Sequence, residues 1–218
     1  MESYKKDFIF FLYENNCILK NKMLKSGRIS PIYFNFGGEL YQGKNIREIG
    51  KYYANALHDN FDIGKETLIF GPAMKGIPLV TAISYAYYEL YNESIRFAYN
   101  RQIEKKRGEG GKIVGPLKQN DKIIIIDDVF TTGDTKKEVI DLLQNEYNAA
   151  VYGVLIGIDR KEKDENGKNA VIEFAKKNNL QIKFVITIDD VLLVLEEEQI
   201  LIADWKKEII EYRKIYGC

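Results

Sequence analysis

The chain has 218 residues, of which 45% are hydrophobic and 29% are charged, which is ordinary for one globular domain with a full core. Lysine plus arginine and aspartate plus glutamate number 32 each, so the chain lacks the overall positive charge that is typical of nucleic-acid-binding proteins. The longest apolar runs are too short to cross a bilayer, and the first residues lack the apolar region of a signal peptide, so we expect neither a membrane nor a nucleic-acid partner.

The rarest reactive residues exclude several kinds of chemistry. The two cysteines, Cys17 and Cys218, are far apart and show neither metal-ligand spacing nor a disulfide framework, which is typical of the reducing cytoplasm. The only histidine, His58, lies in a helical pattern and is best interpreted as a helix-surface or half-buried side chain. We therefore predict a cytoplasmic protein that does not rely on histidine catalysis.

The chain begins with a helical pattern over residues 3–15, followed by a turn and a short aromatic strand within residues 23–35. The turn carries Lys25 next to Ser26 and Gly27, and the strand carries Tyr33 and Phe34. A hairpin with a hydrophobic rim would explain these residues without any function. A substrate-binding hood is the functional interpretation.

A second helical pattern covers residues 45–60, and a candidate ligand loop follows between a strand at 67–70 and a helix at 79–91. In this loop Gly71 and Gly76 flank Lys75, so the backbone can approach an anion closely while the ammonium group neutralises it. The alternative is a simple connector with a solvated lysine.

A strand at 95–99 leads into residues 100–114, which contain three glycines, five cations and two acids and show no amphipathic period. We expect an irregular, mobile surface loop here. Such charge runs are usually only solvated. A lid is the functional alternative, because Arg101, Lys105 and Arg107 could close over a diphosphate and exclude water.

The centre of the chain reads KIIIIDDVFTTGDT over residues 122–135. Four isoleucines predict a strand that is buried on both faces in a parallel sheet, and Asp127 and Asp128 follow it directly. Residues 131–135 form a small polar turn at the start of a helix over 136–145, which is a socket for a phosphate. Carboxylates accept hydrogen bonds from sugar hydroxyls or hold a hydrated divalent cation, so a phosphorylated sugar is the implied ligand. Alternatively, the acids merely end a core strand and Thr132 or Asp134 caps the helix.

The last third begins with a buried strand at 149–158 that ends in Asp159 and Arg160. This arginine can bind a carboxylate in a bidentate manner, or it can merely pair with Asp159 or Glu162. A helix at 170–177, an edge strand at 181–188 and two helices within 189–216 complete the chain, with Trp205 and Ile209 directed inward. Strands that alternate with helices predict an α/β fold.

The loops resemble, in the same order, the ligand loops of type I phosphoribosyltransferases, and the hood and Arg160 resemble those of the orotate phosphoribosyltransferases. The resemblance covers most of residues 25–160. It implies a central, mostly parallel sheet flanked by helices, with a small N-terminal hood over about residues 1–40, a core over about 41–218 and a mobile catalytic loop, all in one domain. It implies transfer of the phosphoribosyl group from 5-phosphoribosyl-1-diphosphate to orotate, which yields orotidine 5′-monophosphate and diphosphate in de novo pyrimidine (UMP) biosynthesis.

The resemblance also assigns roles to residues. The two acids would bind the ribose hydroxyls, and the turn after them would bind the 5′-phosphate. The lysine and arginine side chains would bind the diphosphate or orotate. The resemblance assigns catalytic roles to Lys105, Arg101, Lys75, Asp127 and Asp128. It assigns substrate binding to Lys25, Tyr33, Phe34, Lys75, Arg101, Lys105, Arg107, Asp127, Asp128, Thr131, Thr132, Gly133, Asp134, Thr135 and Arg160.

The same resemblance implies Mg²⁺ as cofactor, held mainly by diphosphate and ribose hydroxyls, with no direct protein ligand and at most a water-mediated contact to Asp127 or Asp128. It implies a homodimer in which residues 101–112 reach the neighbouring active site. Two positions depart from the family pattern, since Gln102 replaces a second lysine and Arg107 replaces a histidine.

Two other functions remain open from the sequence. A purine phosphoribosyltransferase would share the sugar site, but purines lack the carboxylate that Arg160 would bind. A regulatory protein that binds phosphoribosyl diphosphate without catalysis would be expected to carry a basic patch or a DNA-binding domain, and it would not need the cations of the lid.

Overall fold

A computed structural model of the chain describes residues 1–24, 27–105, 111–130, 133–164 and 166–218, without the side chains of Lys105, Asp134 and Thr135. The α-helices in these ranges are α1 (Ser3–Glu14), α2 (Gly43–Asn60), α3 (Gly76–Tyr91), α4 (Asp134–Asp141), α5 (Ala170–Asn178), α6 (Ile188–Glu197) and α7 (Ala203–Tyr216). A 3-10 turn covers Glu39–Tyr41, and a π-helical turn over Leu142–Glu146 continues α4. The strands are β1 (Ile18–Leu19), β2 (Lys22–Met23), β3 (Ile29–Ser30), β4 (Tyr33–Phe34), β5 (Thr67–Gly71), β6 (Arg96–Lys105), β7 (Gly111–Val114), β8 (Lys122–Val129), β9 (Ala150–Asp159) and β10 (Gln181–Thr187).

Six of the described strands form the main sheet, in the order β10-β9-β8-β5-β6-β7. All neighbours are parallel except β7, which runs antiparallel to β6. The chain passes from β5 to β6 on one side and then returns to β8 on the other, so the strand order reverses between β5 and β8. In open α/β sheets the carboxyl ends of strands at such a reversal form the ligand crevice. The predicted α/β fold with a mostly parallel sheet is confirmed.

Strand β8 is the centre of the core, as its four isoleucines predict. Ile123 and Ile125 pack on the face that α4 and α5 cover, and Ile124 and Ile126 pack on the face covered by α1, α2 and α3. All four side chains are fully buried. Burial of one such side chain contributes about 1.5–3 kcal/mol of transfer free energy, which is why this run sits in the middle of a sheet.

Short antiparallel pairs build the N-terminal hood, with Ile18 opposite Phe34 and Lys22 opposite Ser30. The C-terminal helix α7 packs against the hood, because the buried Trp205 indole donates a hydrogen bond of 2.8 Å to the Pro31 carbonyl. Within the described part of the chain, no helix is both long enough and apolar enough to cross a bilayer.

The structure corrects the prediction of an irregular loop over residues 100–114. Residues 100–105 continue β6, and Gly111–Val114 form β7, so the segment is a hairpin at the sheet edge. The sequence hides this hairpin because an edge hairpin that projects from the core needs no alternating apolar side chains. Residues 106–110 lie outside the described part.

Two element boundaries also differ from the prediction. Asp127 and Asp128 do not follow β8 but belong to it, since the strand continues to Val129 beside β9. Helix α3 begins at Gly76 rather than at residue 79, and Pro78 fits there because a first helical turn tolerates the missing N–H.

Candidate active site

The carboxyl ends of β5 and β8 bring together two of the predicted site residues. Lys75 Nζ lies 2.7 Å from Asp128 Oδ2, and the other oxygen of this carboxylate accepts a hydrogen bond of 2.9 Å from the Val129 N–H. Asp128 is buried, whereas half of the Lys75 side chain is exposed. Burial alone would lower the pKa of Lys75, but the hydrogen bond and the charge of Asp128 raise it above its ordinary value.

The second acid, Asp127, has a different set of partners. Its Oδ1 accepts a hydrogen bond of 2.9 Å from the Asp128 N–H, and its Oδ2 forms an ion pair with Lys136. Its backbone carbonyl accepts a hydrogen bond of 3.0 Å from the hydroxyl of the buried Tyr53. Burial raises the pKa of the Asp127 carboxyl, and the Lys136 ammonium group opposes that rise.

Glycines allow the lysine loop to pack tightly between strand and helix. A Cβ at Gly71 would lie 2.2 Å from the Gly76 carbonyl oxygen, so only glycine fits this approach of β5 to α3. The Ala73 N–H donates a hydrogen bond of 2.9 Å to Asn100 Oδ1, which fixes the loop against β6. A Cβ at Gly37 would lie 2.8 Å from Lys75 Cε, so the lysine also lies against the hood.

The predicted phosphate turn ends at the N-terminus of α4, as the sequence indicates. Gly133 caps the helix with a φ of 86°, a left-handed conformation that favours glycine, and a Cβ there would lie 2.7 Å from the Phe174 ring. Unpaired N–H groups at a helix start attract anions. Thr131 and Thr132 lie outside the described residues, as do the side chains of Asp134 and Thr135.

At the end of β9, Arg160 faces the hood. Its Nη2 lies 2.5 Å from Glu162 Oε1 and 3.2 Å from Ser30 Oγ, and its guanidinium carbon lies 5.8 Å from the centre of the Tyr33 ring. The ion pair with Glu162 is one of the two alternatives that the sequence left open for this arginine. The pair nevertheless places the guanidinium group beside the predicted aromatic wall.

The structure corrects the prediction for Phe34. Successive side chains of a strand point in opposite directions, so Tyr33 and Phe34 cannot both face one ligand. Phe34 is only 2% exposed and packs in the core, whereas Tyr33 is partly exposed. The Phe34 ring therefore supports the hood and has almost no free surface for stacking on a substrate.

The hairpin places Arg101 beside the lysine loop. Arg101 Nη1 donates a hydrogen bond of 3.0 Å to the Gly111 carbonyl within the hairpin. The arginine lines a cleft of about 600 Å³, together with Ala73, Gln102 and residues of α4. Lys25 and Arg107 lie outside the described residues, as does the side chain of Lys105.

Sequence reasoning missed two charged residues of the site, Lys136 and Glu162. Lys136 lies on the same helical face as Val139, Ile140 and Leu143, three and more residues further along, and this position on an apolar face was the available signal. Glu162 was considered only as a partner for Arg160. In the structure it also lies 3.3 Å from the Tyr212 hydroxyl of α7.

The carboxylates do not form a metal cage by themselves. Across the described residues, no group of three or more His, Cys, Asp or Glu side chains is arranged to hold a metal ion. The oxygens of Asp127 and Asp128 are nevertheless the ligand type that Mg²⁺ prefers, and Mg²⁺ commonly keeps its waters and binds through one or two carboxylates plus substrate phosphates. The donor set therefore fits a cation that is brought mainly by a substrate.

Known proteins resemble this chain over its full length. A family model for the phosphoribosyl transferase domain matches residues 37–189. The orotate phosphoribosyltransferases of Agathobacter rectalis and Yersinia enterocolitica are 35% and 36% identical to the chain, and each alignment covers 100% of both proteins. The crystal structure of orotate phosphoribosyltransferase from Francisella tularensis is similar with a TM-score of 0.84 and 32% identity, covering 97% of this chain and 100% of that one.

Proposed function

Because the chain belongs to the phosphoribosyltransferase family, and within it to the orotate phosphoribosyltransferases, we propose that it transfers the phosphoribosyl group of 5-phosphoribosyl-1-diphosphate to orotate. The products are orotidine 5′-monophosphate and diphosphate, and the reaction belongs to de novo pyrimidine biosynthesis. The observation that carries the site assignment is the contact of 2.7 Å between Lys75 and Asp128, because it joins a leaving-group cation to a sugar-binding acid where the strand order reverses.

The reaction needs positioning and charge more than it needs a nucleophilic side chain. The bond between the ribose C1 and the diphosphate oxygen breaks, the diphosphate leaves with the electron pair, and orotate N1 forms the new bond to C1. Orotate is already an anion at neutral pH. Preorganised charges that stabilise the departing diphosphate and hold the two reactants in line therefore supply the catalysis.

The sugar and its phosphate occupy the end of β8. Asp127 and Asp128 accept hydrogen bonds from the ribose hydroxyls, and the 5′-phosphate binds residues 131–135 at the start of α4. The partial burial of both carboxylates supports these roles, because a hydrogen bond to a charged acceptor is stronger away from water. Gly133 lets the backbone turn toward the phosphate.

Cations from the lysine loop and the hairpin bind the diphosphate. Lys75 is half exposed, so it can leave Asp128 and follow the leaving group. Arg101 lines a cleft next to Ala73 of its own chain, and in the proposed dimer it acts with the rest of residues 101–112 at the diphosphate of the partner's site. Lys105 and Arg107 are assigned to the leaving group by the family resemblance, and Lys105 is the proposed catalytic cation of the lid.

Orotate binds between the hood and Arg160. The guanidinium group of Arg160 binds the orotate carboxylate, and Tyr33 lies against the pyrimidine ring, which its distance of 5.8 Å from Arg160 supports. Lys25 contacts both orotate and diphosphate by family resemblance. A purine base offers no carboxylate to this arginine, so hypoxanthine should not compete with orotate.

Mg²⁺ is the proposed cofactor, which the substrate diphosphate and ribose hydroxyls would hold, with Asp127 or Asp128 contacting it through water. When bound, it supplies positive charge that favours departure of diphosphate. Neither carboxylate depends on the ion for its position, because Lys136 and Lys75 already pair with them.

We also propose a homodimer in which residues 101–112 of one subunit reach the active site of its partner. Several large apolar side chains of α3, of the segments before it and of β6 are exposed, which supports an interface that involves these elements. These side chains are Tyr41, Met74, Tyr85, Tyr88 and Ile103.

Two experiments test the proposed dimer. Light scattering should give the mass of two chains. A mixture of the Lys105→Ala and Asp128→Asn variants should regain activity that each lacks alone, and a monomeric active enzyme would contradict the proposal.

The remaining parts of the proposal concern organisation and location. The hood over about residues 1–40 and the core over about 41–218 act as one domain, which the hydrogen bond between Trp205 and Pro31 supports. Both cysteines are free thiols, which supports a cytoplasmic location.

One assay tests the reaction directly. The protein is mixed with orotate, phosphoribosyl diphosphate and Mg²⁺, and the orotate absorbance is followed over time. We expect a decrease that requires all three components and that hypoxanthine does not slow. No consumption of orotate at ample enzyme would refute the proposed function.

A further inference from the structure

The two acids of the proposed ribose site pair with cations of different kinds. Asp128 pairs with Lys75, whose side chain is 50% exposed, and Asp127 pairs with Lys136, whose side chain is only 4% exposed. Lys75 can therefore move into the crevice while its ammonium group stays hydrated, whereas the buried Lys136 cannot. The acids look equivalent in the sequence but not in the structure.

Lys136 is enclosed on every side that the structure describes. Its ammonium group contacts the Asp127 carboxylate, donates a hydrogen bond of 3.1 Å to the Val129 carbonyl and lies 5.5 Å from the centre of the Phe130 ring. Its helix, α4, begins at Asp134, within the proposed phosphate turn of residues 131–135. The side chain therefore joins the sugar-binding strand end to the helix that carries the phosphate turn.

A buried lysine is costly unless it is paired, so its position requires an explanation. The proposed mechanism gives it no role in moving protons or in contacting the leaving group. Among the side chains that the structure describes, its one charged partner is Asp127. Both oxygens of the Asp127 carboxylate have a partner, since Oδ1 accepts a hydrogen bond from the Asp128 N–H and Oδ2 accepts one from Lys136. Each oxygen still has a second lone pair that can accept a hydrogen bond from a sugar hydroxyl.

We propose that Lys136 is a positioning residue of the sugar site, which fixes the Asp127 carboxylate and offsets its negative charge while Asp128 exchanges Lys75 for the ligand. This inference rests on the proposed function. Phosphoribosyl diphosphate carries several negative charges, so two uncompensated carboxylates beside it would repel it. With Lys136 in place, only the charge of Asp128 is uncovered when Lys75 moves to the diphosphate.

The test compares Lys136→Met with a matched neighbour. Lys137 follows in the same helix, but its side chain is 43% exposed and pairs with Asp141, whose side chain is 44% exposed, so Lys137→Met should behave like the wild type. Lys136→Met should raise the KM for phosphoribosyl diphosphate at least about tenfold and change the KM for orotate less than about twofold. A merely structural role would lower thermal stability and change both KM values together.

A double-variant cycle shows whether Lys136 acts through Asp127. In an Asp127→Asn background the charge to be offset is gone, so Lys136→Met should weaken binding of phosphoribosyl diphosphate by less than about twofold. This comparison uses calorimetric binding rather than turnover, and it remains informative if the single Lys136→Met variant fails to fold. A further tenfold loss in that background would overturn the proposal.

The binding measurements also separate this inference from the proposed function. If the wild type binds phosphoribosyl diphosphate but does not consume orotate, the proposed reaction fails while the cycle still tests Lys136. If the wild type consumes orotate and Lys136→Met binds both substrates like the wild type, the reaction stands and the role of Lys136 is refuted.

Discussion

Arg160 Nη2 and Glu162 Oε1 lie 2.5 Å apart, and the Tyr212 hydroxyl of α7 lies 3.3 Å from the same glutamate oxygen. Arg28 Nη2 lies 3.6 Å from the other oxygen of this carboxylate. Glu162 is therefore the common partner of an arginine from the hood, the arginine that follows β9 and a tyrosine from the last helix. It orients the guanidinium group that is proposed to bind orotate.

Removal of this carboxylate should weaken orotate binding selectively. We expect Glu162→Ala to raise the KM for orotate about tenfold, because Arg160 loses the charged hydrogen bond that fixes its side chain. The KM for phosphoribosyl diphosphate should stay within about twofold. Initial-rate kinetics with each substrate varied in turn give both constants. Glu173→Ala is the control, since this glutamate of α5 forms only a long ion pair of 3.6 Å with Lys168, which precedes the helix. An equal effect of the two variants would contradict the role of Glu162.

The lid cation should act on turnover rather than on base binding. Lys105→Ala should lower kcat by about 10²–10³, because one charge that stabilises the departing diphosphate is lost. Orotate binding measured by calorimetry should change far less. Lys177→Ala, an exposed lysine of α5, serves as the control. Equal losses in kcat and orotate affinity for Lys105→Ala would argue against a lid that acts on the leaving group.

The glycine that caps α4 should be required for both stability and phosphate binding. Gly133→Ala places a Cβ on a residue with a φ of 86° and only 2.7 Å from the Phe174 ring. Backbone strain and a steric clash therefore both destabilise this variant. Gly167→Ala is a matched control, because that glycine has a φ of 74° but nothing within 4 Å of the new Cβ. We expect about 1–2 kcal/mol of destabilisation for the control and a larger loss for Gly133→Ala, measured by urea unfolding.

Substrate binding separates these two glycine variants further. Gly133→Ala should also weaken phosphoribosyl diphosphate binding, whereas Gly167→Ala should not. Equal stability of the two variants would show that the Phe174 ring moves away at no cost. Unchanged substrate affinity of Gly133→Ala would contradict a phosphate site at this turn.

The two thiols should differ in reactivity. Burial raises the pKa of the Cys17 thiol to about 12, so almost no reactive thiolate forms near pH 8. Cys218 is exposed. A maleimide should therefore label one thiol in the native protein and two in denaturant, as counted by mass spectrometry. Cys218→Ser should abolish native labelling, and rapid modification of Cys17 would show that the core around α1 opens.

The sequence predicted the parts of this fold that depend on local patterns. The isoleucine run defines the central strand because a parallel strand is buried on both faces, and the glycines around Lys75 mark a loop that needs close backbone approach. The hairpin formed by β6 and β7 was not predicted because residues 100–105 are mostly polar and show no alternation of apolar side chains. Its pairing is set by the neighbouring strand rather than by any apolar period.

The charged contacts of the site were harder to predict than its loops. Lys136 and Asp127 are close in sequence, but their pairing depends on how α4 turns back over the end of β8. The contact between Glu162 and Tyr212 joins residues 50 positions apart. The burial of Phe34 similarly depends on which face of a two-residue strand meets the core. Such choices are made by tertiary packing, and no pattern within a short window contains them.

The contact between Trp205 and Pro31 links the two ends of the chain, and both ends lie outside the shared domain at residues 37–189. The wall beside Arg160 is thus made of the terminal segments, while the proposed sugar and phosphate sites lie in the middle of the chain. Changes confined to the two ends of the chain would therefore reshape the surroundings of Arg160 and leave the proposed donor site untouched.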